Sequence, residues 1–301
     1  MTETTRPVPG KVERLAPGLR RVLAPNPSPM TLHGTNTFLI GEGRVAVIDP
    51  GPASAAHLDA ILAALSPGET ISHILVTHSH LDHSPLARPL AERTGAPVLA
   101  HGDSTAGRSA AMTALAARAT VGGGEGVDTG FAPDDTLADG AEIEGDGWTL
   151  TALWTPGHFG NHLSFAWEDA IFCGDLVMGW SSSLVSPPDG DMGDYMASLA
   201  RLKAAGAGIL HPAHGAPVTN PSRRIADLAA HRRRRENQIL AALDAGPLTP
   251  ADLARRIYTE TPPALLPAAE RNVLAHLIDL TSRKHVHAVP HPTPEAHFLK
   301  L

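Results

Sequence analysis

The sequence predicts an α+β fold: a body of two mixed β-sheets packed together with helices outside, then a small winged-helix-like domain. Three observations carry this reading. About ten short apolar runs with strand character fall in two sets, and each set is interleaved with helical stretches. Hairpins and crossovers are mixed, which suits two packed mixed sheets better than one doubly wound parallel sheet. After Pro221 the order becomes helix, helix, helix, strand, as in a winged-helix unit. The expected division is residues 1–220 for the body and 221–301 for the tail.

The first 30 residues are rich in proline and read as an extended lead-in along an edge. Residues 37–40 and 44–48 are apolar runs around Gly41-Glu42-Gly43, a hairpin pattern. A helix is expected over 53–65, stopped by Ser66-Pro67-Gly68, then a strand over 71–77. Ser84 fits an N-cap with Pro85 at the first helical position, and Gly95 fits the C-terminal stop. A strand over 97–100 follows. Residues 109–119 are alanine-rich and helical in character, with a glycine-rich loop containing Gly122-Gly123-Gly124 after them. Strands return at 142–144, 148–154, 163–167, 170–173 and 209–211, with a helix over 192–205 before the last. In the tail, helices are expected over 224–243, over 249–258 (Thr249 capping, Pro250 first) and within 264–284. A strand over 285–289 closes the unit.

The formal charge is −7, which argues against a nucleic-acid coat or a membrane-surface protein. It is unevenly spread. From Pro221 onward there are 12 basic and 8 acidic residues, against 12 and 23 before it, so a basic tail follows an acidic body. The lone Cys173 allows no internal disulfide and fits a cytoplasmic setting. No apolar h-region and no run of ~18 apolar residues is present, so neither a signal peptide nor a membrane span is expected.

The chemistry concentrates at Thr77-His78-Ser79-His80-Leu81-Asp82-His83, directly after an apolar strand. Three further sites share that grammar of apolar strand followed by a loop with His or Asp. They are Thr155-Pro156-Gly157-His158, Cys173-Gly174-Asp175 and Pro212-Ala213-His214-Gly215. Seven residues then suffice for two metal ions: His78, His80 and His158 for one, Asp82, His83 and His214 for the other, with Asp175 bridging. The i, i+2 spacing of His78 and His80 lets both imidazoles point to one side of an extended loop. Neutral imidazoles with carboxylates suit Zn²⁺, and Mn²⁺ or Fe²⁺ can also be held. Two such cations lower the pKa of a shared water and make a hydroxide nucleophile, with Asp82 as the expected catalytic residue.

These motifs resemble the metallo-β-lactamase fold superfamily, whose signature T-H-x-H-x-D-H is followed downstream by His, Asp and His. The resemblance covers residues 30–220 and implies an αββα four-layer sandwich with metals at one edge. The run Gly190-Asp191-Met192-Gly193-Asp194-Tyr195 and the segment 231–239 are similar to the β-lactamase-like protein 2 family, which implies a C-terminal winged-helix domain. Relatives in that family include single-strand endoribonucleases and acyl-carrier-protein thioesterases. Where that family often has a bulky residue between the first two histidines and Gly-Gly after the motif, this chain has Ser79 and Ser84-Pro85. It has Pro212-Ala213-His214 where Pro-Gly-His is usual. Every ligand stays in place, while the pocket wall changes.

Other residues take plainer readings. His33, His57, His73, His101, His211 and His231 read as surface or satisfied core histidines, and Cys173 as a small buried hydrophobe. Asp49 is expected to support a ligand histidine, and Trp180 reads equally as a pocket-lining residue or as part of a packed loop. The run Arg232 to Arg235 reads as a solvated helix face, with a nucleic-acid stripe as the other possibility. The function expected is a dinuclear metal-dependent hydrolase cleaving an ester or thioester of a small or carrier-linked substrate. The alternatives are an endoribonuclease on single-stranded RNA and a non-catalytic protein that binds nucleic acid through the tail. Oligomeric state is open.

Overall fold

Two-residue alternation along the central strands builds the layers. The structure, a computed structural model, describes residues 7–118 and 126–301; residues 1–6 and the Gly122-Gly123-Gly124 loop lie outside them. In the first sheet β1 (Val12–Ala16), β2 (Leu19–Leu23), β3 (Asn36–Ile40) and β4 (Arg44–Ile48) run antiparallel. After α1 (Ala55–Ala63) the chain adds β5 (Thr70–Leu75) parallel to β4. After α2 (Ala87–Thr94) it adds β6 (Val98–Ala100), and after α3 (Ala110–Ala117) it adds β7 (Asp135–Thr136), both parallel. The second sheet pairs β8 (Glu142–Glu144), β9 (Thr149–Trp154), β10 (Leu163–Trp167) and β11 (Ala170–Gly174) antiparallel. Following α4 (Met192–Ala205), β12 (Ile209–Pro212) lies parallel to β11.

Phe38, Ile40, Ala46 and Ile48 pack between the sheets with Leu150, Phe165 and Phe172. Their neighbours Leu39, Val45 and Val47 face the other way, onto Leu58 and Ile61 of α1 and Leu90 of α2. On the far side Ile171 and Leu210 pack against Leu199 and Leu202 of α4. Helix, sheet, sheet, helix is therefore the layer order.

The tail comprises α5 (Pro221–Leu243), α6 (Pro250–Ile257), α7 (Leu266–Ser282) and a hairpin of β13 (Val286–Val289) and β14 (His297–Lys300). α5 serves both cores: Ile225 and Leu228 pack with α4, while Ile239 and Leu243 pack with Leu253, Val273, Leu277 and Phe298. Met112 and Leu115 of α3 join the second group, so the alanine-rich stretch braces the tail. No helix among the described residues is long and apolar enough to cross a membrane.

Two expectations need correction, and one strand has no counterpart in the sequence reading. The lead-in holds two strands, and β2 is buried along its whole length. Arg20 and Arg21 disguise it: Arg20 sits at 3% exposure because Glu69 (2.5 Å) and the Ala64 and Gly41 carbonyls satisfy its guanidinium. Ser84 does not cap α2, which begins at Ala87; its hydroxyl instead donates to Asp128 (2.7 Å). β14 was not anticipated at all.

Breaking the Arg20–Glu69 pair by Glu69→Ala strands a buried guanidinium and is expected to cost about 3 kcal/mol. Combining Arg20→Met with Glu69→Leu is expected to recover much of that loss. Urea unfolding curves of the three proteins check both statements.

Candidate metal centre

Strand direction brings the candidate residues together. β9, β11 and β12 point the same way, because β10 between β9 and β11 is antiparallel to both and β12 is parallel to β11. His158, Asp175 and His214 follow the ends of those three strands. The loop after β5 meets them through the Leu163 N–H, which donates to the Thr77 carbonyl (2.7 Å), and the Asn36 N–H, which donates to the Ala213 carbonyl (2.7 Å), closes the other side. Gly174 turns the chain at φ 47°, where an added Cβ would meet His162 Nε2 at 2.5 Å.

All seven residues singled out in the sequence lie in this one cluster. His80 Nδ1 sits 2.9 Å from His78 Nε2 and 3.2 Å from His158 Nε2. Asp82 Oδ2 lies 3.1 Å from His214 Nε2 and 3.3 Å from His83 Nε2. Asp175 stands between these groups, 3.3 Å from His214 Nε2 and 3.7 Å from His158 Nε2. His78–His80–His158 and Asp82–His83–His214 each present three donor atoms within 4.8 Å of one another. His83 Nε2 and Asp175 Oδ1 are buried without a hydrogen-bond partner. Convergent lone pairs and orphaned buried donors are what a divalent cation satisfies, so the residues present fit such ions.

A second set of residues orients the rings. Asp49, at φ 51°, accepts from the Thr77 N–H (2.8 Å) and hydroxyl (2.7 Å) and from His83 Nδ1 (2.9 Å). His158 Nδ1 donates to the Leu184 carbonyl (2.6 Å), and His214 Nδ1 to that of Gly34 (3.3 Å). Each contact leaves Nε2 aimed at the cluster. Asp49 thus stands where the sequence placed it, against a candidate ligand. His162 went unnoticed in the sequence. It is buried, its ring held neutral at about 3 by burial, and its Nε2 accepts from the Asp175 N–H (3.2 Å). Its spacing of four from His158 is the one local signal. The six histidines read as structural all lie outside the cluster, and Cys173 is buried, with its thiol pushed up to about 12 by desolvation.

The two halves differ in charge. Burial holds His80 at about 3 and lowers His78 and His158, so these rings are neutral. Burial pulls His214 the same way, but Asp175 and Asp82 outweigh it and raise it to about 9. Asp82, Asp49 and Asp175 likewise overcome burial and raise His83 well above the usual imidazole value.

The cluster opens into a cavity of about 730 Å³. One wall comes from residues 26–31, another from Met178 and Trp180, and a third from the tail through Tyr258, Leu265 and Ala268. Trp180 lines it, the first of the two readings its sequence position allows. The arginine run is split between buried and exposed positions. Arg232 is buried, and Arg235 stacks on Tyr258 with its guanidinium carbon 4.2 Å from the ring centre. Only Arg233 and Arg234 are exposed.

A family model described as the metallo-beta-lactamase superfamily matches residues 30–214. The chain belongs to that superfamily. A second model, the beta-lactamase associated winged helix domain, matches residues 249–290. A beta-lactamase-like protein 2 homolog of Drosophila melanogaster is 33% identical over 292 residues, 89% of either chain. An atrochrysone carboxyl ACP thioesterase of Paecilomyces divaricatus is 34% identical over 237 residues, 77% of this chain and 67% of that enzyme. The crystal structure of a metallo-beta-lactamase family protein from Thermus thermophilus superposes with TM-score 0.76 at 26% identity, covering 96% of this chain and 100% of that one. Together these make the protein a hydrolase of this superfamily with a His/Asp cluster able to bind metal.

The charge asymmetry has a measurable consequence. In the metal-free fold His83 and His214 hold protons at neutral pH, so an ion entering the Asp82–His83–His214 group must displace them. Its affinity is expected to rise with pH through the neutral range, because, against burial, the adjacent carboxylates raise both rings above the ordinary imidazole value. The neutral His78–His80–His158 group imposes no such competition. Calorimetric Zn²⁺ titrations in buffers of differing ionisation enthalpy, from about pH 6 to about pH 8, check this. Proton release confined to one binding event is the expected result, and equal release at both contradicts it.

Proposed function

We propose that the cluster binds two divalent metal ions and that the protein hydrolyses thioesters, the acyl part seated in the cavity beside it. His78, His80 and His158 would hold one ion, Asp82, His83 and His214 the other, and Asp175 would bridge them. Zn²⁺ fits the nitrogen-rich set, with Mn²⁺ and Fe²⁺ as chemically reasonable occupants. Ions held there supply Lewis acidity and a water that ionises near neutral pH.

The observation that carries the choice of substrate is the cavity wall. Among the described residues none of its lining side chains is Lys or Arg, while Met30, Leu81, Trp180 and Leu265 contribute apolar surface. A phosphodiester chain would call for a positive groove leading to the cluster. An acyl chain calls for an apolar one. The thioesterase name of the fungal relative supports the same choice. The chain's own residues then have definite tasks. Asp49, Leu184 and Gly34 keep the rings oriented, so Nε2 of His83, His158 and His214 faces inward without rearrangement. Asp82 lines the cavity with 27% of its side chain exposed, which supports a role in accepting a proton from the attacking water. Met30 and Leu81, both about half exposed at the rim, leave room for a carrier arm to reach the site. Buried, free Cys173 suits a reducing compartment such as the cytoplasm.

A panel of an acyl thioester, a simple ester and single-stranded RNA, each with and without chelator, tests the reading. Thioester turnover that chelator abolishes and added metal restores is the expected outcome, with Asp82→Ala lowering kcat/KM by about 100-fold or more. Metal-dependent cleavage of RNA with no thioester turnover would replace it by the ribonuclease alternative.

A further inference from the structure

Arg232 poses a problem that the proposed reaction does not solve. Its side chain is fully buried, at 2% exposure, and it forms no ion pair among the described residues. A guanidinium taken from water without a carboxylate costs free energy unless its N–H groups find good acceptors. Here the acceptors are the Ser183 carbonyl, which one terminal nitrogen contacts at very short range, and Asn272 Oδ1 at 3.1 Å. The ring of Tyr195 lies beneath, 5.1 Å from the guanidinium carbon.

Asn272 Oδ1 also accepts from the Val185 N–H at 3.1 Å. The two tail residues, one on α5 and one on α7, therefore grip the chain on either side of Leu184. The Leu184 carbonyl is the acceptor that orients His158 Nδ1, at 2.6 Å. The same loop is held further along by Arg224, which donates to the Met178 (2.7 Å) and Ser181 (2.6 Å) carbonyls, and by Arg271, which donates to the Pro187 carbonyl (2.9 Å).

We infer that Arg232 and Asn272 are positioning residues for His158: the tail sets one ring of the cluster by clamping the 183–185 backbone that carries its orienting carbonyl. This rests on the proposed role of His158 as a ligand, and goes beyond it by making the tail part of the centre. The clamp explains why a cation is buried where no anion awaits it. Every bond it donates goes to the loop or to the other half of the clamp. The planar guanidinium reaches two acceptors at once, which the point charge of a lysine cannot do in the same geometry.

Asn272→Leu keeps approximate shape and removes the shared acceptor, while Asn272→Asp keeps an oxygen for both donors. Stepwise Zn²⁺ dissociation constants by chelator competition, the Co²⁺ absorption spectrum and thermal unfolding are read for each. Asn272→Leu is expected to weaken one of the two metal equivalents about 10–100-fold and alter the Co²⁺ spectrum, while Asn272→Asp restores both. Two unchanged affinities, or equal weakening of both in step with lost thermal stability, would overturn the inference. In metal-free protein the His158 Nδ1 proton is expected to give an exchange-protected NMR resonance that Asn272→Leu loses; its survival there also overturns the inference. If His158→Ala leaves the metal content unchanged, the ligand role of His158 falls instead, and the Nδ1 resonance still decides whether the clamp orients the ring.

Discussion

The Asp49 carboxylate is the fixed point of the structure. It sits just past β4 with a positive φ, and with both oxygens it holds the N–H and hydroxyl of Thr77 and the ring of His83. A buried carboxylate with three good donors is stable only if those donors are present together. The first sheet supplies them by laying β5 parallel to β4, so that the two strand ends are neighbours. The loop from His78 to His83 thus starts from a defined place, with one ring already oriented.

A second sheet must then meet that loop at one edge. Three of its strands deliver His158, Asp175 and His214 in the same direction, and single backbone hydrogen bonds from Leu163 and Asn36 bind the sheets where they converge. The result is five imidazoles and two carboxylates in close contact, with His162 supporting Asp175 from behind. The carboxylates are shared unevenly, so half of the cluster is neutral and half is protonated without metal. That asymmetry follows the carboxylates: one group is three histidines, while the other contains Asp82 and has Asp49 and Asp175 beside its rings.

The tail changes what the centre can do. It closes the cavity with Tyr258, Leu265 and Ala268, and three of its arginines, Arg224, Arg232 and Arg271, donate to backbone carbonyls of the loop after Asp175. A basic segment next to an acidic body invites an expectation of nucleic acid. The geometry assigns much of that charge to internal hydrogen bonding and leaves an apolar pocket.

The candidate site was legible because its grammar is local. Four of its seven residues fall between His78 and His83, and the other three each follow an apolar strand, so residue order and hydrophobic pattern point to them without a fold. Helix 192–205, the Thr249 cap and the two-sheet architecture were readable for the same reason. The features that escaped depend on partners far along the chain. Ser84 has the appearance of a cap until Asp128, 44 residues on, takes its hydroxyl. β2 reads as polar until Glu69 neutralises Arg20. The arginine run reads as surface until α5 and α7 bury Arg232 against Ser183 and Asn272. Residue order can state which chemistry is available; burial and charge pairing are properties of surroundings, and those exist only once distant segments have packed.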